Sequence, residues 1–165
     1  MTVIAVTGHL DLAGAGLPSI RAELLALLGP YARGGTLTGL SCIAPGADAL
    51  FADVVLELGG RLEVVLPSAR YRAAAVAAGY TAYAEEFDRL CRAAAEVLVL
   101  PAPEPDSAAY VAANAELLRR ADRLVAVWDG GPGNGPGGTA HMVAAARAAG
   151  VPVHRVWPPG AARTG

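Results

Sequence analysis

Three short turns hold the groups best suited to chemistry. Thr7-Gly8-His9 follows an apolar run, and Pro45-Gly46-Ala47-Asp48 opens an amphipathic stripe. A longer stretch from Asp129 to Thr139 carries Gly130, Gly131, Gly133, Asn134, Gly135, Gly137 and Gly138. Glycine allows a phosphate to come close to the backbone, and a helix start offers unpaired N–H groups with a partial positive charge. Each turn also has a side chain that can bond a ribose hydroxyl or exchange a proton: His9, Asp48 and Asp129. The ligand-binding candidates are therefore Thr7, Gly8, His9, Gly46, Asp48, Asp129, Gly130, Gly137, Gly138 and Thr139. Asp129 and His9 are the catalytic candidates.

Each candidate also has a plainer reading. Gly8 suits any tight turn, and His9 suits a turn histidine bonded to backbone. Asp48 complements a helix dipole whether or not a ligand is present, and Asp129 can open the glycine loop as an Asx turn. Asn114 interrupts an apolar helix side and needs hydrogen-bond partners, which neighbouring backbone or a ligand would supply. Arg70 and Arg72 flank Tyr71 after the third apolar run, as phosphate clamps or as solvated loop charges. His141 falls in the first turn of the last helix, facing solvent or the edge of the core. Trp128 reads as packed core.

The elements that must position these groups are legible as an alternation. Apolar runs at Val3–Val6, Leu37–Ile43, Leu62–Leu66, Val97–Leu100, Leu124–Trp128 and Val151–Val156 are separated by helical patterns. Most runs are continuously apolar, as parallel strands covered on both faces are. Ala47, Leu50, Phe51, Val54, Val55 and Leu58 form one helical stripe that ends at Gly59-Gly60. The first helix starts with Pro18 at its first position and stops at Gly29-Pro30. Tyr80, Tyr83, Phe87, Leu90, Cys91 and Ala94 mark a third helix, and two more run over about 107–121 and 138–149. The pattern predicts a three-layer, Rossmann-like α/β sandwich over residues 1–157, with 158–165 as a flexible tail. For the loops at Gly8 and Asp129–Thr139 to share one ligand, strands one and five must be neighbours. The expected parallel order is therefore 4-3-2-1-5-6.

Composition narrows the function classes. Apolar residues make up 54% of the 165 and charged residues 17%, with a formal charge of −2. No basic cluster exceeds Arg119-Arg120, so a nucleic-acid partner is not expected. All thirteen basic residues are arginine, which excludes a P-loop or a catalytic lysine. The chain shows no Gly-x-Ser-x-Gly elbow, no histidine pair at metal-ligand spacing and no membrane span. Cys42 and Cys91 read as buried thiols in a cytoplasmic protein. No cofactor is required, and alanine-rich helix faces such as Ala73–Ala78 and Ala144–Ala149 suit a homo-oligomer seam.

Val6-Thr7-Gly8-His9, Pro45-Gly46-Ala47-Asp48 and Ala121–Gly130 followed by Gly137-Gly138-Thr139 together resemble the SLOG group over residues 2–157. That group includes DNA-processing protein A, Lonely Guy-type proteins and stand-alone bacterial nucleotide sensors. The resemblance implies a Rossmann-like fold and a nucleotide or nucleotide-derived ligand. Lonely Guy-type phosphoribohydrolases carry a glutamate three residues after the motif threonine. Aligning that threonine with Thr139 puts Met142 in the glutamate's place, and a thioether can neither take a proton nor supply charge. Binding or sensing without strong catalytic equipment is the leading expectation. The rivals are an N-glycosidase of nucleoside monophosphates using Asp129 or His9, and a non-catalytic oligomeric scaffold.

Overall fold

Gly8 ends the central strand of the sheet, and the order of strands around it follows from the apolar runs that flank it. In a computed structural model, which describes residues 1–133 and 135–164, β1 spans Thr2–Gly8, β2 Leu37–Ser41, β3 Arg61–Ser68, β4 Glu96–Ala102, β5 Arg123–Val127 and β6 Val153–Val156. They form one sheet in the order β4-β3-β2-β1-β5-β6, with all pairs parallel. This is the expected order. Gly8 aligns with Val127 in the β1–β5 register, so the loops after these two strands leave the sheet side by side.

The helices are α1 (Leu17–Arg33), α2 (Ala47–Glu57), α3 (Tyr71–Ala77), α4 (Tyr83–Ala93), α5 (Ser107–Arg120) and α6 (Thr139–Ala148). Alternate residues of β1 point to opposite faces, as the two-residue strand period requires. Ile4 and Val6 join Ile20, Leu24, Leu28, Phe51, Val54 and Leu90 in one core. Ala5 joins Leu40, Val65, Leu117, Leu124 and Met142 in the other. The sheet is thus covered on both sides, which gives the three layers.

Several elements depart from the sequence reading. α1 does not stop at Gly29-Pro30 but runs on to Arg33. Pro30 forfeits one helix bond, yet Tyr31 and Ala32 pack on the core beyond it and carry the helix further. The third helix is present as α4 but starts at Tyr83, and a further helix, α3, precedes it, with Gly79 at φ 104° between the two. Tyr80 falls in that gap, outside both helices. β4 is not covered on both faces, and its Val97 and Val99 are exposed. Trp128 is half-buried, and its indole N–H donates to the Gly131 carbonyl at 2.9 Å. Residues 158–164 do not project as the expected tail. They fold back along the loop after β1, where the Ala13 N–H donates to Ala162 and the Thr164 N–H to Asp11. The backbone groups of that loop need partners, and the returning chain provides them. Asn134 and Gly165 lie outside the described residues.

The middle of the sheet is tightly packed where β2 meets α2. A Cβ on Gly39 would fall 2.6 Å from Val55 and 3.1 Å from Phe51, both fully buried. Gly39→Ala should therefore destabilise the fold by about 1–3 kcal/mol through overpacking. Urea unfolding should show a lower midpoint at an unchanged slope. An unchanged midpoint would mean that α2 can move outward freely.

Candidate functional site

The C-terminal ends of the central strands open into a cleft of about 500 Å³. Thr7, Gly8 and His9 line it from β1, Asp48 from α2, and Gly137, Gly138 and Thr139 from the start of α6. These seven sequence candidates come together. Gly46, Asp129 and Gly130 do not line the cleft, for distinct reasons.

Gly8 is fixed by close approach. A Cβ there would lie 2.4 Å from the Ala47 Cβ and 2.8 Å from the Val127 carbonyl oxygen. Gly46, with φ 84°, would put a Cβ 2.6 Å from the carbonyls of His9 and Leu10. It presses the first two loops together, and the Ala47 N–H donates to the His9 carbonyl at 3.1 Å. Its role is contact between loops. Across the cleft, no side chain among the described residues caps α6, so its first-turn N–H groups remain available where Gly138 and Thr139 form the wall. The loop is set by two bonds at Gly137: Asn114 donates its amide to the carbonyl, and the N–H donates to His141 Nδ1, each at 3.3 Å. Asn114 and His141 thus both find backbone partners.

His9 is buried beneath Trp157, whose ring meets it edge-on at 5.5 Å. The backbone N–H of Asp129 donates to His9 Nε2 at 3.1 Å, and the Asp129 carboxylate lies 3.2 Å from the same nitrogen. Burial first, and the nearby Arg163 guanidinium second, hold the His9 pKa below its ordinary 6.5, while Asp129 pulls the other way. The neutral ring is the one that accepts the Asp129 N–H, so it carries its proton on Nδ1. Asp129 itself turns away from the cleft. Its carboxylate accepts the Gly131 N–H at 2.8 Å, the Asx turn foreseen as the plainer reading, and this bond draws its pKa down. Asp129 is placed to orient His9 and is not among the residues that line the cleft. Gly130, with φ 90°, faces Arg155 on the β6 side.

Sequence reasoning missed several lining residues. Arg163 reaches the cleft from the C-terminal segment and is held by Asp11 at 2.9 Å, with Asp129 at 3.8 Å. A Pro- and Gly-rich tail gives no signal of such a role. Tyr80 and Tyr110 line the cleft together with Tyr71. Arg70 and Arg72 instead leave the site, pairing with Glu104 at 3.4 Å and Asp88 at 2.9 Å on the surface. In that tripeptide the tyrosine faces inward, a polar-tipped aromatic at a helix start being the only hint.

The deepest part is polar and incompletely satisfied. Burial pushes the Asp48 carboxyl up to about 7, against a weak bond from the Ala44 N–H at 3.4 Å. The Tyr71 hydroxyl is buried without a hydrogen-bond partner among the described residues, a condition that costs about 1–3 kcal/mol. Ile43 beside them adopts φ 46°, a strained conformation for a β-branched residue. The Tyr83 hydroxyl donates to its carbonyl, and its own N–H donates to Ser41 Oγ at 2.9 Å. Cys42 also lines the cleft, with its thiol pushed up by burial. Met142 lies in the core among Ala5, Leu40 and Leu124 and does not reach the cleft. No group of three or more His, Cys, Asp or Glu among the described residues converges as a metal site. No helix among them is long and apolar enough to cross a membrane.

Solved structures share this architecture. DNA processing protein A from Helicobacter pylori matches with a TM-score of 0.66 at 14% identity, covering 93% of this chain and 64% of that one. The Streptococcus pneumoniae protein of the same name gives 0.65 at 17%, covering 94% and 50%. The molybdenum cofactor binding protein of Rippkaea orientalis gives 0.58 at 16%, covering 93% and 75%. The shared architecture is a Rossmann-like fold with an all-parallel six-stranded sheet. The chain thus spans half to two thirds of the length of the two DNA processing proteins. No family model matches the sequence, and no curated protein matches it. The Helicobacter protein is described by its single-stranded DNA binding mode. This overturns the expectation that net charge removes nucleic acid from the partners of this fold: a chain of the same architecture binds it.

The His9 environment has a measurable consequence. A histidine held below its ordinary pKa contributes full stability above pH 6.5, and that contribution is lost as pH falls through the folded value. Asp48, raised from 3.8 to about 7, acts with opposite sign as pH rises across that range. The His9 effect is therefore read as the difference between wild type and His9→Gln. That difference should shrink as pH falls below 6.5. In Arg163→Ala the His9 titration followed by NMR should move upward, and no movement would remove Arg163 from the His9 environment.

Proposed function

We propose that the cleft binds a nucleotide or nucleotide-derived ligand, with its phosphate between the Gly8 turn and the start of α6 and its base toward Tyr71 and Tyr110. One observation carries this reading: an open cleft of about 500 Å³ lies where parallel strands end, with a glycine turn on one side and an uncapped helix N-terminus on the other. That volume is in the range of small-molecule sites. Arg163 adds a positive charge at the rim. The names of the similar structures, which include a molybdenum cofactor binding protein and a single-stranded DNA binder, support ligands of this class. A scaffold with a decayed site would have a closed cleft, and this one is open.

Cleavage of an N-glycosidic bond is not part of the proposal. Met142 is in the core, and Asp129 is engaged with His9 and Gly131 outside the cleft.

A ligand that binds only the folded state raises the melting temperature. Mono-, di- and cyclic nucleotides and a short single-stranded oligonucleotide should be compared by thermal shift. At least one should raise the midpoint, and Gly138→Asp, which places a carboxylate at the phosphate position, should abolish the rise. A flat response across the panel, with no ligand retained on purification, would refute the reading.

A further inference from the structure

We propose that the deep end of the cleft is a recognition subsite for the amino-oxo edge shared by guanine and pterins, in which two adjacent N–H donors stand beside a carbonyl oxygen. The inference rests on the reading of the cleft as a nucleotide-type site and adds the identity of the heterocycle.

Two buried polar groups line this end and lack adequate partners. The Tyr71 side chain is 3% exposed, and its hydroxyl lies near that of Tyr110 but makes no hydrogen bond of good geometry among the described residues. Asp48 is 9% exposed, and the one hydrogen bond its carboxylate accepts from a described residue is the 3.4 Å contact from the Ala44 N–H. Buried polar groups in native proteins are normally paired, so a pair left open inside a cleft points to what fills it. A carboxylate accepts two parallel N–H donors, and a phenol donates to a carbonyl. The amino-oxo edge offers that set in adjacent positions. Adenine has no carbonyl, cytosine has no ring N–H, and uracil has no amino group. Tyr80 and Tyr110 supply aromatic surface for a fused ring.

The protonation of Asp48 follows from this chemistry. Burial raises its carboxyl to about 7. Cys42 from the β2 end, Tyr71 from α3, Tyr83 from α4 and Tyr110 from α5 all feel its charge, and all are pushed upward. They stay neutral while Asp48 titrates. Ligand N–H donors favour the ionised carboxylate, so binding releases a proton from Asp48 and tightens as pH rises through neutrality.

The test is calorimetric titration of wild type, Asp48→Asn and Tyr71→Phe with GMP, a pterin carrying a phosphomethyl group, AMP and CMP, at about pH 6 and pH 8. GMP or the phosphopterin should bind on the order of tenfold or more tighter than AMP and CMP, and more tightly at the higher pH. Preference for only one of the two tells a guanine from a pterin ligand. Asp48→Asn should lose both the preference and the pH dependence. Tyr71→Phe should weaken binding while the unliganded protein melts no lower than wild type, an outcome that misfolding does not produce. Equal binding of AMP, or a preference that survives in Asp48→Asn, overturns the subsite and leaves the nucleotide reading standing. Failure of all four ligands on wild type overturns both.

Discussion

The approach of β1 to its neighbours at Gly8 is the constraint on which the site depends. At that point the strand passes between the first turn of α2 and the end of β5, leaving no room for a side chain. Because β1 is central, the three loops that leave its end and those of β2 and β5 must start within a few ångströms of each other. Glycine there does not bring chemistry of its own. It sets the spacing at which His9, Asp48 and the α6 turn can face a common volume.

Around that contact the site divides into two chemically different halves. On the β5 side, His9, Asp129, Asp11 and Arg163 form a charged network in which the histidine is held neutral and the guanidinium is fixed at the rim. On the β2 side, buried Asp48 and Tyr71 with Tyr110 and the more exposed Tyr80 make a wall whose carboxyl ionises only near neutrality. A ligand with an anionic group at one end and a flat polar ring at the other matches both halves. The sheet order places them at the two sides of one opening.

The sheet, its order and the three glycine turns were legible because continuous apolar runs and helix stops are local signals. The site was legible only in part. Thr7, Gly8, His9, Asp48 and the Gly137–Thr139 turn lie at a strand end or between a strand end and the first turn of the next helix, where topology alone assigns them to the edge. Asp129 was overrated, since its position cannot reveal that the Gly131 N–H captures its carboxylate. Arg163 and Tyr110 were invisible for a different reason: each arrives from a distant part of the chain through tertiary packing. The acidic balance also misled, because net charge averages over a surface and says little about what one cleft accepts.

The strained backbone at Ile43 gives the opening an uneven stiffness. A β-branched residue in the left-handed region costs about 1–3 kcal/mol, and here it is pinned by hydroxyls from Tyr83 and Ser41. The jaw that carries Asp48 is therefore locked from a helix forty residues away in sequence. The opposite jaw, at Gly137, is held among the described residues by two longer bonds of 3.3 Å, at a glycine that packs closely on Tyr110. Under the proposed reading, shape discrimination would fall to the rigid jaw, and accommodation of differences at the anionic end to the other.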